Sequence, residues 1–414
     1  MSALTSLIAS RLPSLPTLPP GLALEWPGGH MGVRPAQVSL RLPDLRSLGW
    51  LAQGRIGRIA AAYVRGDVDI EGAMTDVMAV AGELVGDPRR QGASPLLPHW
   101  LARWGTKARH DRRHDAEQVQ FHYDVCDEFY ALWLDAQRVY SCAYYRDAGM
   151  SLAQAQQAKL EHICRKLALA PGQRFLDIGA GWGALLLWAA EHHGVRATGI
   201  TLSKHQHVHV NRLIDERGLR GQVDMQLLDY RDLPDTEVFD RIASVGMFEH
   251  VGRANLSDYF SRLHRLLKPG GLLLNHGITA GAVGIGQLGA GMGDFIEQHI
   301  FPGGELVHVS EASRHLAEGG LELLDVENLR PHYARTLWAW SDGLERQIPQ
   351  ARELVGEATL RAYRLYLAGS AMSFERGWLS IYQLLASRPD GQLDTGALRG
   401  AQSVYPFNRD YMTG

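Results

Sequence analysis

Cysteine is scarce: Cys126, Cys142 and Cys164 are the whole complement of a 414-residue chain. An odd, sparse set is a poor disulfide framework and fits a reducing, cytoplasmic compartment. Long apolar runs are missing as well, none reaching the ~18 residues that a membrane span needs. The nearest stretch, Gly277 to Gly293, holds seven glycines and reads as a loop. Met1 to Arg11 has no basic flank before its short apolar stretch, so no signal peptide is expected. Neither sign of charge dominates: 42 Lys+Arg against 45 Asp+Glu leave −3, and no basic field advertises a nucleic-acid partner. A composition of 45% hydrophobic and 21% charged residues excludes collagen-like, coiled-coil and wholly disordered chains. Glycine is in excess, at 45 residues, as expected where backbone must approach a ligand closely.

The length fits two to three domains at about 150 residues each. Residues 1–31 are rich in proline (Pro13, Pro16, Pro19, Pro20, Pro27) and read as irregular. Residues 32–87 form a small N-terminal α+β domain. In it Val38 to Leu42 alternates like a strand, while Leu48 to Val64 and Ile70 to Val85 carry helical spacing. Residues 88–115 are a basic amphipathic linker. Arg89, Arg90, Arg103, Lys107, Arg109, Arg112 and Arg113 interleave there with Leu96, Leu97, Trp100, Leu101 and Trp104. That pattern suits a helix lying on a membrane surface, or a solvated helix whose tryptophans pack on a neighbouring domain.

From residue 116 to 414 strand-like and helix-like segments alternate, the α/β signature of a parallel sheet with covering helices. The readable strands are Arg174–Ile178, Val195–Ile200, Asp224–Leu228, Asp240–Val245 and Leu272–Asn275; Tyr333 to Ser387 reads as mostly helical. The first strand runs straight into Gly179-Ala180-Gly181-Trp182-Gly183 and then an apolar helix. Such a loop turns tightly and offers its backbone to a ligand at a helix N-terminus. A dinucleotide site would have GxGxxG spacing and an acid about 20 residues on. This loop is GxGxG, and Gly199 to Ser203 holds no acid. Leu267-Lys268-Pro269-Gly270-Gly271, a turn before an apolar strand, together with Asp229 after the third strand, instead resembles the Rossmann-like class I methyltransferase fold. That fold uses S-adenosylmethionine.

Longer strings narrow the resemblance. His122-Tyr123-Asp124, Tyr140 to Tyr144, Gln156 to Leu160, Asp229 to Asp232, Gly246 to Gly252 and Pro331 to Leu337 resemble the cyclopropane-fatty-acyl-phospholipid synthase family over roughly residues 118 to 390. Ala62 to Gly72 is similar to the small leading domain of its phospholipid-acting members.

The resemblance implies transfer of a methylene from S-adenosylmethionine to a cis double bond of an unsaturated phospholipid acyl chain. The chain becomes a carbocation, loses a proton and closes a three-membered ring. It implies a bound bicarbonate as base, with ligands at Cys142, Glu249, His276, the backbone of Ile278, and Tyr333. It further implies cofactor contacts at Tyr140, Ser141, Asp177, Gly179, Gly181, Trp182, Gly183, Thr201, Leu202, Ser203, Gln206, Asp229, Tyr230 and Arg231. An ionised Glu249 accepts hydrogen bonds only, so the bicarbonate O–H is expected to face it. Aromatic rings can stabilise a buried cation, and Tyr144, Phe248 and Tyr333 are the candidates. Peripheral attachment to the inner face of the membrane follows, as does a homodimer, since family members are often dimers.

Two departures from the family pattern stand out. Ala180 replaces a usual cysteine, and Ser370 stands where many members carry a cysteine in a late helix, so covalent cysteine catalysis from that helix is excluded. The segment from Asn275 to Gly293 differs from better-known members and leaves substrate and outcome open. A fatty-acyl C-methyltransferase giving a methyl-branched or methylated unsaturated chain is the alternative; a lipid-binding protein without catalysis is a third reading. His205, His207 and His209 lack an accompanying carboxylate or cysteine at zinc spacing, so no metal is expected.

Overall fold

The computed structural model describes residues 19–32, 34–52, 54–87, 126–235, 238–283, 293, 295–296, 305–390 and 409–413. The basic linker and His122-Tyr123-Asp124 lie outside the described residues.

Of the stretch expected to be irregular, residues 1–18 lie outside the described residues and Leu22 to Met31 is sheet rather than irregular. Strand β1 (Leu22–Trp26) and strand β2 (Gly29–Met31) form a hairpin, with Trp26 opposite Gly29. Pro27-Gly28 is its turn, and Gly28 takes a φ of 88°. Pro27, one of the prolines that pointed to an irregular segment, is therefore a turn residue, and Leu22, Ala23 and Leu24 are buried. Strands β3 (Val38–Arg41) and β4 (Asp69–Glu71) complete a sheet ordered β2-β1-β3-β4. The expected helix from Leu48 to Val64 is two helices, Leu45–Ala52 and Ile56–Arg65, separated at Gly54 with φ 65°. Met74–Val85 is the third helix of this unit.

The large sheet contains β5 (Arg174–Ile178), β6 (Arg196–Thr201), β7 (Val223–Leu227), β8 (Phe239–Val245), β9 (Leu267–Ala280), β10 (Glu322–Asn328) and β11 (Leu379–Ser387). Its order is β10-β11-β9-β8-β5-β6-β7. The run from β9 to β7 is parallel, and β11 pairs antiparallel with both β9 and β10. Two sequence expectations change here. Leu379–Ser387 is a strand, not the end of a helical stretch; wedged between two strands, it is buried almost throughout and shows no alternation to read. Lys268 to Gly271, expected as a turn, is part of β9. There the register against β8 slips between Phe239 and Arg241, and Gly270 takes a φ of 75°, so the extra residues are absorbed as a bulge.

Strand order reverses between β5 and β8, which opens a crevice at their carboxyl ends. Helix Leu152–Lys166 starts with a capping box between Ser151 and Gln154. Helices Arg330–Glu345 and Ile348–Glu375, the latter broken at Gly356, pack on each other beside the crevice.

The N-terminal unit has no separate core. Leu24, Leu40, Tyr63, Val77 and Met78 share one apolar cluster with Trp340, Leu360, Tyr363 and Met372. Arginines of the late helix tie the seam. Arg361 donates to Tyr63 O at 3.0 Å and to Asp69 Oδ1 at 2.9 Å, and Arg364 donates to the Tyr63 hydroxyl at 2.6 Å. Among the described residues no helix is long and apolar enough to cross a membrane.

Candidate active site

The crevice holds a cavity of about 1230 Å³ of empty volume. The glycine loop forms one wall. Gly179, Gly181 and Gly183 all adopt positive φ (74°, 56° and 84°), a conformation that costs glycine little. Gly181 has open space where a side chain would point. Twelve of the fourteen residues expected to touch the cofactor line this cavity: Tyr140, Ser141, Asp177, Gly179, Gly181, Trp182, Thr201, Leu202, Gln206, Asp229, Tyr230 and Arg231.

Gly183 and Ser203 sit behind the wall. A Cβ on Gly183 would lie 2.9 Å from Val210, so this glycine admits close helix packing. Ser203 caps helix Lys204–Glu216 by accepting from the Gln206 N–H. Asp229 has a double duty, because it caps the turn at Tyr230–Asp232 and takes Arg231 through both oxygens, at 2.9 and 2.6 Å.

The opposite wall is held by helix Leu152–Lys166. Gln156 and Lys159 lie three apart on one face. Gln156 Nε2 donates to Ser141 O at 2.9 Å, and Lys159 Nζ donates to Ser141 Oγ at 3.0 Å. Burial pulls the Lys159 ammonium down to about 8, with the nearby Asp135 and Asp177 carboxyls opposing. Burial likewise pushes Asp177 up to about 7, with Lys159 opposing. Lys159 lies within the Gln156 to Leu160 string, but the sequence assigns it no role; its burial alongside Gln156, His162 and Lys166 on one helix is visible only in the fold.

The residues fit an S-adenosylmethionine ligand. Thr201 donates to Gln206 Oε1 at 2.7 Å, which fixes the amide and leaves Gln206 Nε2 buried with no partner. An amide N–H pair aimed at a cavity, where a nucleoside would present ribose hydroxyls, satisfies that donor.

Beyond the end of β8 lies a second polar cluster; its Glu249, His276 and Ile278, like Cys142 and Tyr333, are not among the residues lining the cavity, whereas the neighbouring Met247 and His250 are. β8 stops at Val245, opposite His276 of β9. The next inward backbone donor of β9, the N–H of Ile278, therefore has no ladder partner on that side and donates to Glu249 Oε1 at 2.7 Å. Ile278 was expected to offer this N–H to the anion, but the Glu249 carboxyl takes it. Glu249 Oε2 is buried without a partner, and burial pushes this carboxyl up to about 7.

His276 is fully buried, and burial together with nearby Lys159 pulls it down to about 3, so the imidazole is neutral. Gln383 Nε2 meets its Nδ1 at 3.2 Å, with Gln383 opposite His276 in the ladder. With Gln383 donating, the ring proton sits on Nε2, itself buried and unpartnered. Nothing in the sequence singled out Gln383.

Cys142 and Tyr333 join this cluster through Leu329, whose carbonyl accepts from Cys142 Sγ at 3.8 Å and from the Tyr333 N–H at 3.0 Å. The Leu329 N–H donates to Ile381 O, and Ile381 is the ladder partner of Ile278. Backbone contacts through Leu329 and Ile381 thus link the segments that carry the five expected catalytic positions, and the Cys142 thiol also donates to Ala143 O at 3.2 Å, closer than to Leu329. Burial raises the Cys142 thiol, so it is no thiolate.

The three aromatic candidates separate. Tyr333 packs on Phe374 and Trp340 within the cluster, and Phe248 lies over Gly277. Tyr144 does not serve a cation, because its two faces are stacked on His162 and His332 at 4.2 and 4.8 Å. His209 packs edge-on against Trp182.

A family model described as mycolic acid cyclopropane synthetase matches residues 110–384. The chain is 43% identical over 392 residues to a Pseudomonas putida protein named probable fatty acid methyltransferase, covering 94% of this chain and 98% of that one. The solved cyclopropane synthase MmaA2 from Mycobacterium tuberculosis is similar with 36% identity and a TM-score of 0.61, over 66% of this chain and 98% of its own. The mycolic acid cyclopropane synthase CmaA1, complexed with SAH and CTAB, gives 35% identity and a TM-score of 0.62 over the same shares.

Proposed function

The chain belongs to the mycolic acid cyclopropane synthetase family of S-adenosylmethionine-dependent methyltransferases, and from that premise we propose that it cyclopropanates a cis double bond in an unsaturated phospholipid acyl chain. The observation that carries this reading is the pair of buried, unpartnered atoms Glu249 Oε2 and His276 Nε2 beside the cofactor cavity.

S-adenosylmethionine, when bound, supplies an electrophilic methyl group. Gln206 would receive its ribose hydroxyls. Lys159, an ammonium with three donors and one used on Ser141, would take its carboxylate. The glycine loop lets backbone come close to it. The apolar surround of Tyr333, Phe248 and Phe374 keeps water from a positive carbon on the acyl chain.

Glu249 and His276 are complementary: one offers an acceptor, the other a donor. A small anion carrying one O–H satisfies both, and bicarbonate is the reading we favour; held there, it supplies a base for the proton the added methyl must lose. Ile278 then acts at one remove, by fixing the Glu249 carboxyl. Peripheral binding to the inner membrane face through Arg109, Arg112 and Arg113 belongs to the same proposal, since the substrate resides in a bilayer.

A second outcome, methylation without ring closure, is favoured by the name of the Pseudomonas putida relative. Lipids from an expressing host decide between the two. A mass gain of one CH2 with high-field cyclopropane proton signals supports the first. The same gain with retained unsaturation, or a gain of CH4 (one CH2 plus the two hydrogens of a reduction) with a methyl branch, supports the second, and no mass change overturns both.

A further inference from the structure

A second cavity lies between the N-terminal unit and helix Ile348–Glu375. It is an apolar groove partly open to solvent, the kind of concave, mostly apolar surface that ligand sites use. Ala60, Val77 and Ala81 form one side; Leu365, Tyr366 and Ser370 form the other. Among its described lining residues none is charged, and the only polar side chains are Tyr366, Ser370 and Ser373. The Ser373 hydroxyl is already spent on Gly369 O at 2.7 Å. Ala60 and Ala81 are half-buried although they face the seam, which leaves apolar surface waiting for a cover.

This cavity abuts the cofactor site. The Tyr140 hydroxyl, on the cofactor wall, donates to the Tyr366 hydroxyl at 3.2 Å. Its late-helix wall runs on from Ser373 to Phe374, which packs on Tyr333 with ring centroids 4.7 Å apart. A ligand filling it would therefore end within one side chain of the reacting centre.

We propose that this interdomain cavity holds the acyl chain of the lipid substrate, so that the N-terminal unit supplies half of the acyl-binding site. The proposal rests on the lipid reading above and assigns the tail rather than the headgroup. A charge-free slot rejects a phosphate, whose desolvation nothing there would offset. An extended hydrocarbon gains by burial all along such a slot.

The test uses the full-length protein and phosphatidylglycerol vesicles whose monounsaturated chains carry a terminal diazirine. After irradiation, labelled peptides are mapped by mass spectrometry. Label within Ile56–Arg65 or Met74–Val85 is expected. If the protein modifies the lipid while label avoids both helices, the proposal is overturned. If these helices are labelled but no lipid is ever modified, the function reading fails instead.

A second arm compares chain lengths. Ala81→Phe should lower kcat/KM for long chains about tenfold, the worth of roughly two methylenes denied burial, and spare short ones. Equal loss for both lengths, in a variant with native thermal unfolding, also overturns the proposal.

Discussion

Replacing Glu249 by Gln separates two consequences of one buried carboxyl. In the fold Glu249 titrates at about 7, against an ordinary 4.5, because burial disfavours its charged form. Between those values the folded chain keeps a proton that the unfolded chain has released. Wild-type stability therefore falls as pH rises through that window and levels off above it. The full difference corresponds to about 3 kcal/mol. Gln keeps an acceptor for the Ile278 N–H and has no charge to bury. Glu249→Gln should match the wild type near pH 4 and exceed it by up to about 3 kcal/mol at pH 8, measured by urea unfolding. Turnover should move the other way, falling by about 10²–10⁴, the usual contribution of a positioned acid–base system. Cofactor binding by calorimetry should stay level. In the wild type, turnover should rise with pH through about 7 as Glu249 ionises to become an acceptor, and this limb should vanish in the variant. A stability difference that ignores pH would refute the burial argument. Equal loss of cofactor affinity and turnover would refute the assigned role.

Lys159→Met should weaken S-adenosylmethionine binding by roughly 10–100-fold, the worth of a charge-assisted hydrogen bond. Wild-type affinity should fall as pH rises past about 8, where Lys159 loses its proton; calorimetry showing neither effect would exclude a carboxylate contact. Gly277→Ala would set a Cβ 2.8 Å from the Phe248 ring and should cost about 1–3 kcal/mol; an unchanged unfolding midpoint would show that the ring has room to yield. Reversing the charge of Arg109, Arg112 and Arg113 should weaken co-sedimentation with anionic vesicles, most at low salt. Undiminished binding would return that segment to packing on a neighbouring domain.

The cofactor half of the site was legible because its chemistry is local in sequence. A glycine loop must follow a strand and precede a helix, and Gly179 to Gly183 does both within five residues. Gly183 and Ser203 belong to the same motifs yet serve packing and capping, since a motif records which residues recur together and not which of them face the ligand. The catalytic cluster was harder to read. Cys142, Glu249, His276 and Tyr333 come from four separate segments, and only the resemblance joined them beforehand. The Ile278–Glu249 contact depends on where β8 stops against β9, a register that no single segment encodes. Gln383 was invisible for the same reason: it lies on β11, a strand whose nearly unbroken burial erases the alternation that would have announced it.

The N-terminal unit shows how a boundary drawn on composition can miss a shared core. Proline marked residues 1–31 as a separate irregular piece, yet Leu22 and Leu24 belong to the cluster that includes Trp340 and Met372. The family model begins only at residue 110, whereas the Pseudomonas putida relative matches 94% of this chain, so this unit lies outside the family model but within the match to that relative. Helix Ile348–Glu375 must nevertheless serve both partners. Arg361 and Arg364 reach from it to Tyr63, while Tyr366 on the same helix reaches Tyr140 in the cofactor wall. One rigid element therefore carries the docking arginines and the tyrosine that touches the reacting side. Displacing the N-terminal unit would unseat the part-buried hydrogen bonds from Arg361 and Arg364 and strip the apolar flank of that helix, with the cofactor wall next in line. Selection for substrate geometry and selection for the seam act on the same stretch of residues, which explains how a unit without catalytic groups of its own can still be tied to the chemistry.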